Sequence, residues 1–192
     1  GIEASLRRIA HYDYWDDAVL PSILVPSGAD LLVYGQGEGP VLEIARRLAS
    51  GEDVCGLVDV PGTAVLLPDL ERAALGGRAR GALELPPYEE VAADKRRFAE
   101  LSRLYHLEHN ADNARILVQR HGSGTRARFV VVNEPMPPPT TAELDAVYEL
   151  PFARDAHLSV YRRKDRGLYN PDQILYRSEE MSRVWDLVRK VA

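Results

Sequence analysis

A short apolar run between two glycines, Asp30-Leu31-Leu32-Val33-Tyr34 flanked by Gly28 and Gly35, constrains the fold of this chain more than any other feature. It shows no polar alternation, which suits a buried parallel strand covered on both faces. A helix is expected next. Val41, Ile44, Ala45 and Leu48 recur at i, i+3, i+4 and i+7, while Glu43, Arg46 and Arg47 take the other face. Pro40 lies in the first turn and Gly51 just past the end. With a second strand at residues 63–67, the pattern is strand, glycine turn, amphipathic helix and strand: one βαβ unit, whose crossover is right-handed in nearly every known case. One unit is too small for a sheet. Because the first residue is Gly1 rather than Met, the expectation is a piece of a longer protein with partner strands before it.

Downstream, residues 69–85 are rich in Ala, Gly and Arg without a period and read as a loop. Residues 88–106 carry Val91, Phe98, Leu101 and Tyr105 at helical spacing behind Pro86 and Pro87. Residues 115–120 and 128–132 are β-rich and separated by Gly122-Ser123-Gly124, which predicts a hairpin. Pro135, Pro137, Pro138 and Pro139 favour a stiff extended spacer. It leads to a capping box of Thr140 and Glu143, opening a short helix with Leu144, Val147 and Tyr148 that Pro151 stops. A final helix has Ser178 as N-cap and Met181, Val184, Trp185 and Val188 as its stripe. No internal repeat is visible.

Composition narrows the function classes. The chain has 192 residues, 45% apolar and 28% charged, which suits one or two globular domains. No apolar run reaches the roughly 20 residues of a membrane span, and no basic n-region is followed by an apolar stretch and cleavage site, so the setting expected is cytoplasmic with no membrane partner. A formal charge of -5 provides no field for nucleic acid. The single cysteine, Cys55, cannot form an internal disulfide and could give one thiolate to an iron–sulfur cluster that takes three or four.

Several residue groups invite chemistry. Gly35-Gln36-Gly37-Glu38-Gly39 lies between strand and helix, where open α/β sheets bind ligands. The spacing departs from G-x-G-x-x-G, since Pro40 stands where the third glycine would be, and the Glu38 carboxylate would repel a phosphate. A structural turn and a ligand-facing loop, with Gly35, Gly37 and Glu38 as its cofactor-binding candidates, both remain open. His106 and His109 could share a helix face, but a third metal ligand is missing, and helix C-termini favour histidine in any case. Asn110, Asp112 and Asn113 read as a helix stop and turn. Nothing near Cys55 lowers its pKa, and no G-x-S-x-G elbow is present. Arg162-Arg163-Lys164-Asp165-Arg166 is a single basic cluster in an acidic chain and reads as a solvated loop.

The opening residues Gly1-Ile2-Glu3-Ala4-Ser5-Leu6-Arg7-Arg8-Ile9-Ala10-His11-Tyr12-Asp13-Tyr14-Trp15 closely resemble the signature of the YgiQ-type radical SAM proteins. Ala29 to Gly35 and the helix after it resemble the family's cobalamin-binding-like N-terminal region, whose G-x-G-E loop is matched by Gly35, Gly37 and Glu38. His106-Leu107-Glu108, Asn110, Asn113-Ala114-Arg115, Gln119, His121-Gly122, Asn133 through Thr140, Glu143, Asp145 and Tyr148-Glu149-Leu150-Pro151 are similar to its central block. The resemblance runs to about His157. In the family a C-x3-C-x2-C motif then holds a [4Fe–4S] cluster that binds and cleaves S-adenosylmethionine. No cysteine follows Cys55 here. Arg177-Ser178-Glu179-Glu180 resembles a stretch beyond those cysteines, as though Leu158 to Asp172 had replaced the cluster segment.

The fold expected is therefore α/β: a partial Rossmann-like, cobalamin-binding-like βαβ unit, then a helix, a β-hairpin and a truncated or defective radical SAM barrel entrance. The segments expected are 1–68 for the end of the Rossmann domain, 69–132 for a helix and hairpin insert, 133–157 for the spacer and short helix, and 158–192 for the barrel remnant. The resemblance implies a [4Fe–4S] cluster and S-adenosylmethionine for the parent protein, with no cofactor, catalytic residue or metal ligand expected in this chain itself. The function expected is that of a non-catalytic piece of such a protein. Alternatives are a nucleotide- or corrinoid-binding module, though no D-x-H-x-x-G motif supplies a cobalt ligand, and a structural or non-functional remnant. No pattern names a substrate. The bare strand edge at residues 30–34 predicts self-association.

Overall fold

The computed structural model describes residues 2–69 and 81–151. In chain order the elements are α1 (Ile2–Leu6), β1 (His11–Asp13), β2 (Ala18–Leu20), α2 (Leu24–Ser27), β3 (Leu31–Val33), α3 (Glu38–Ala49), β4 (Thr63–Leu67), β5 (Leu83–Leu85), α4 (Tyr88–Ala93), α5 (Lys95–Leu107), β6 (Leu117–His121), β7 (Arg128–Val132) and α6 (Thr141–Tyr148). The fold is mixed α/β. β1 and β2 form a small antiparallel hairpin, and the five other strands form one sheet in the order β3-β4-β7-β6-β5. Only β5 and β6 run parallel; β3–β4, β4–β7 and β6–β7 are antiparallel. Residues 1–139 make one compact unit and a second begins at Thr140.

The parallel βαβ unit does not form. β3 and β4 are neighbours, but Leu31 pairs with Val65 and Val33 with Thr63 in antiparallel register. An apolar run without alternation carries no information on strand direction, and here the connection decides it. α3 is about 18 Å long, whereas residues 50–62 can reach roughly 40 Å. The chain therefore travels back along the helix before entering β4. β3 is also an edge strand, with only Leu32 buried, rather than a central one. Its helix departs from expectation too: Val41, Ala45 and Leu48 are exposed and only Pro40 is buried.

Part of the segment read as a loop is a strand, since Leu83–Leu85 joins β6. The helix predicted over 88–106 is two helices. Asp94 breaks it with extended backbone, φ -134° and ψ 118°, and its side chain accepts from the Arg96 amide at 2.8 Å to start α5. The hairpin of β6 and β7 forms as predicted. So does the capping box, in which the Thr140 amide donates to Glu143 Oε2 at 2.7 Å and the Glu143 amide to Thr140 Oγ1 at 3.3 Å. Leu144 and Tyr148 of that helix are exposed. The barrel entrance and last helix expected within 158–192 lie outside the described residues.

Alternation along β6 sorts the core. Leu117 packs with Leu85, Val91, Leu101, Val130, Val132, Ile9, Ala10 and Leu24 on one face of the sheet. Ile116 and Val118 pack with Val58, Val65 and Val131 on the other. Gln119 and His121 share the first face with Leu117, yet both are buried and polar. Both polar atoms of the Gln119 amide are bonded: Oε1 accepts from the Ala10 amide at 2.8 Å and Nε2 donates to the Pro86 carbonyl at 3.0 Å. One side chain thus fastens the N-terminal segment and the β5–α4 connection to a central strand. His121 stacks on Tyr88, ring centroids 5.3 Å apart, and neither ring nitrogen has a hydrogen-bond partner among the described residues. Burial lowers its pKa to about 4, against a small opposing pull from Glu89.

Two outcomes follow. Gln119→Leu keeps the bulk but strands a buried donor and a buried acceptor, so chemical denaturation should show a loss of about 2–4 kcal/mol; a loss under 1 kcal/mol would mean that water replaces the amide. For His121 the folded state binds fewer protons than the unfolded state between pH 6.5 and about 4. Its contribution is therefore complete above pH 6.5 and declines through that window, by about 2–3 kcal/mol. Urea midpoints of His121→Phe, which keeps the ring stack, should fall less steeply from pH 6.5 to 4 than those of the wild type, and parallel slopes would refute the assignment.

Candidate functional site

The glycine loop begins where β3 ends. Tyr34 is buried, and its hydroxyl donates to the Asn133 carbonyl at 2.5 Å. Gly35 turns the chain with φ +67°, a left-handed conformation that glycine adopts without strain, and its amide donates to Ser5 Oγ at 3.0 Å. Gly37 needs no such freedom: at φ -87° it is the N-cap of α3, and a Cβ there would meet only Val33 Cγ1 at 3.4 Å. Glu38 is the exposed first residue of the helix. Gly39 has a steric reason of its own, because a Cβ would lie 2.9 Å from Met136 Cε. Gly62 shares it, with Met136 Cγ and Pro40 Cγ each at 3.0 Å. The Gly62 amide donates to the Glu134 carbonyl at 2.8 Å, so the chain after β7 crosses this end of the sheet as a strap.

Beneath the strap lies a polar network. Asn133 Nδ2 donates to the Val58 carbonyl and to Thr63 Oγ1, both at 3.0 Å, and Thr63 Oγ1 donates to the Val60 carbonyl at 2.6 Å. These bonds tie the connection that precedes β4 to the end of β7. Beside the loop, the Arg8 guanidinium sits between two rings, 4.1 Å from the centroid of Tyr34 and 4.6 Å from that of Tyr105, and donates to the Ser5 carbonyl. Such contacts stabilise a cation without a carboxylate. Burial pushes both phenols up despite the nearby Arg8, which keeps them neutral near pH 7. Burial likewise lowers His11, whose Nδ1 faces the Ile9 carbonyl.

The histidine pair is brought together without a third partner. His106 and His109 stack with centroids 5.1 Å apart at the end of α5, and His109 Nδ1 contacts the His106 carbonyl. Glu108 between them is engaged elsewhere: it is buried, takes the Arg115 amide at 2.7 Å and Nε at 2.9 Å, and is held by that guanidinium below the usual carboxylate range. Asn110 forms the expected turn, accepting from the Asp112 and Ala114 amides. Among the described residues no three His, Cys, Asp or Glu side chains converge as a metal site. Cys55 is exposed in the turn Val54–Gly56, where Asp53 accepts from its amide at 2.8 Å. One thiol does not fit a [4Fe–4S] cluster, so no step through a cluster is derived from these residues. The basic run at Arg162 to Arg166 lies outside the described residues.

Sequence reasoning passed over Arg8, Gln119, His121 and Asn133 as structural centres. The available signal was period two: Gln119 and His121 interrupt the apolar side of a β-rich run, and residues at such positions are buried when the strand is central. Among the described residues no helix is long and apolar enough to cross a membrane.

Comparison with known proteins agrees with the opening motif. The radical SAM N-terminal family matches residues 1–186. A UPF0313 protein of Geobacter sulfurreducens is 52% identical over 159 residues, covering 83% of this chain and 25% of the relative. One from Rhodopseudomonas palustris is 47% identical over 173 residues, covering 83% and 25%. One from Clostridium botulinum is 41% identical over 157 residues, covering 82% and 23%. This chain thus spans about a quarter of the length of the curated relatives it matches. No solved structure gives a significant match. With the family matched across nearly its whole length, this chain belongs to the radical SAM N-terminal family.

Proposed function

We propose that the chain acts as a non-catalytic N-terminal domain of a YgiQ-type radical SAM protein, in which further polypeptide holds the [4Fe–4S] cluster and S-adenosylmethionine. The observation that carries this reading is the pairing of a family match over residues 1–186 with one exposed thiol, Cys55. A cluster takes three or four thiolates. Several buried groups fit a scaffold: Gln119 bonds the Ala10 and Pro86 main chain, Glu108 bonds Arg115, Asn133 Nδ2 donates to the Val58 carbonyl and Thr63 Oγ1, and Arg8 is clasped by two rings.

A second reading keeps Gly35, Gly37 and Glu38 as a ligand-facing loop. It is favoured by open space at Gly35, where nothing lies within 4 Å of an added Cβ, and by the exposure of Gln36 and Glu38. The two readings separate by titration. Anaerobic incubation with iron and sulfide should leave this chain without a stoichiometric cluster, and a cluster lost in Cys55→Ala would sink the scaffold reading. In thermal melts, nucleotide, S-adenosylmethionine and cobalamin should leave the midpoint unchanged; a saturable rise of several degrees would move the loop reading ahead.

The glycines carry their own outcome. Gly35→Ala forces a side chain into left-handed backbone and should cost about 1–2 kcal/mol, whereas Gly37→Ala should stay within about 0.5 kcal/mol. Urea denaturation of both variants checks this, and a larger loss at Gly37 than at Gly35 would contradict the backbone geometry.

A further inference from the structure

The helix that should cover the sheet leaves its apolar face bare. Successive residues of an α-helix turn by about 100°, which sets Leu48, Val41, Ala45, Ala49 and Leu42 in one continuous arc of α3. All five are exposed, Val41 at 54%, Leu42 at 57% and Leu48 at 43%. The helix is held from its other side. Pro40 is buried, Ile44 half-buried, and Arg47 reaches Glu52 Oε2 at 2.7 Å and Asp59 Oδ1 at 2.6 Å. Those ion pairs fix the orientation that turns the stripe outward. A helix of this length is marginal in water unless its amphipathic face is packed. β3, which leads directly into it, is the last strand of the sheet, so its outer side has no strand partner among the described residues.

We propose that the apolar stripe of α3, with the adjoining edge of β3, is the docking surface for the further polypeptide carried by the longer relatives; this rests on the N-terminal-domain reading above. Area selects that occupant over a second copy of the chain. Three aliphatic side chains about half exposed and two alanines offer on the order of 200–300 Å², whereas a stable dimer takes about 800 Å² from each partner. A segment in the same polypeptide has no such requirement, because covalent linkage gives it a high effective concentration. The relatives have that segment to offer, since the region matched is about a quarter of their length. Its chemistry is set by the surface: aliphatic side chains against the stripe, with a polar or acidic group towards Arg46, which flanks the stripe beside Leu42.

The test compares amide hydrogen exchange of residues 38–49 in this chain and in a chimera, in which the chain replaces the matching region of the Geobacter sulfurreducens protein. Exchange should be at least tenfold slower in the chimera. The double variant Leu42→Asp, Leu48→Asp should leave the melting temperature of this chain unchanged within about 2 °C and restore fast exchange in the chimera. Equal exchange in both proteins would overturn the proposal, as would protection in this chain that rises with its concentration and is lost in the double variant, the signature of a second copy. If the chimera does not fold, the unaltered Geobacter protein is read over the aligned stretch, where fast exchange overturns the proposal equally. Iron and sulfide content of the chimera is a separate readout: a cluster dependent on Cys55 would refute the domain reading without changing the exchange result.

Discussion

The Gln119 amide holds together parts of the chain that the sheet alone would not. Residues 1–20 contribute no strand to the five-stranded sheet, and β5 is a three-residue edge strand in its only parallel pair. Both make contact with β6. By accepting from Ala10 and donating to Pro86, Gln119 sets where the segment before β1 crosses the sheet and where the chain leaves β5 for α4. The next residue on that face, His121, stacks on Tyr88, and the Tyr88 hydroxyl reaches the Val19 carbonyl at 3.3 Å. Polar groups along one strand therefore position the β1–β2 hairpin, α4 and the sheet together. Buried amides are costly when unmade, so this arrangement specifies one packing more sharply than aliphatic contacts would.

What was legible in the sequence was whatever a local pattern determines. The β6–β7 hairpin, the Thr140 capping box, the start of α4 at Pro87 and the extent of α3 each rest on residues within a few positions of one another. What escaped depends on distant chain. Strand direction at β3 is set by the return along α3, and the strand at Leu83–Leu85 is too short to show a period and exists only because β6 offers it an edge. The break at Asp94 was locally readable, because an aspartate two residues ahead of an amide it can cap is a helix start, but the continuing apolar period masked it. At the candidate site the pattern located the loop, and the structure separates its glycines: Gly35 answers to backbone conformation and Gly39 to Met136.

The resemblance residues divide in the same way. Glu108, Arg115, Gln119, Asn133, Thr140 and Glu143 are among the family-like residues, and each makes a specific bond that joins two segments or starts a helix. The opening motif behaves similarly. Asp13 is buried, a position that opposes its ionisation, yet the Trp15 and Asp16 amides and Arg7 outweigh that and hold its carboxyl below the ordinary range. It thereby fixes the turn that presents Tyr14 and Trp15, ring centroids 4.6 Å apart and both exposed. Each of these family-like residues thus has a bond of its own within the described residues.

The loop after β3 shows how packing can imitate a binding motif. A phosphate loop uses glycines so that backbone amides can approach an anion at a helix N-terminus. Here the anion is already part of the chain, because Glu38 stands in the first turn of α3, where its charge opposes the positive end of the helix dipole. Pro40 contributes no amide and packs where a side chain at Gly62 would lie, and Met136 lies where one at Gly39 would. A phosphate arriving at this end would meet the Glu38 carboxylate. The Glu38 charge therefore disfavours a phosphate at this helix end, whatever the glycine spacing suggests.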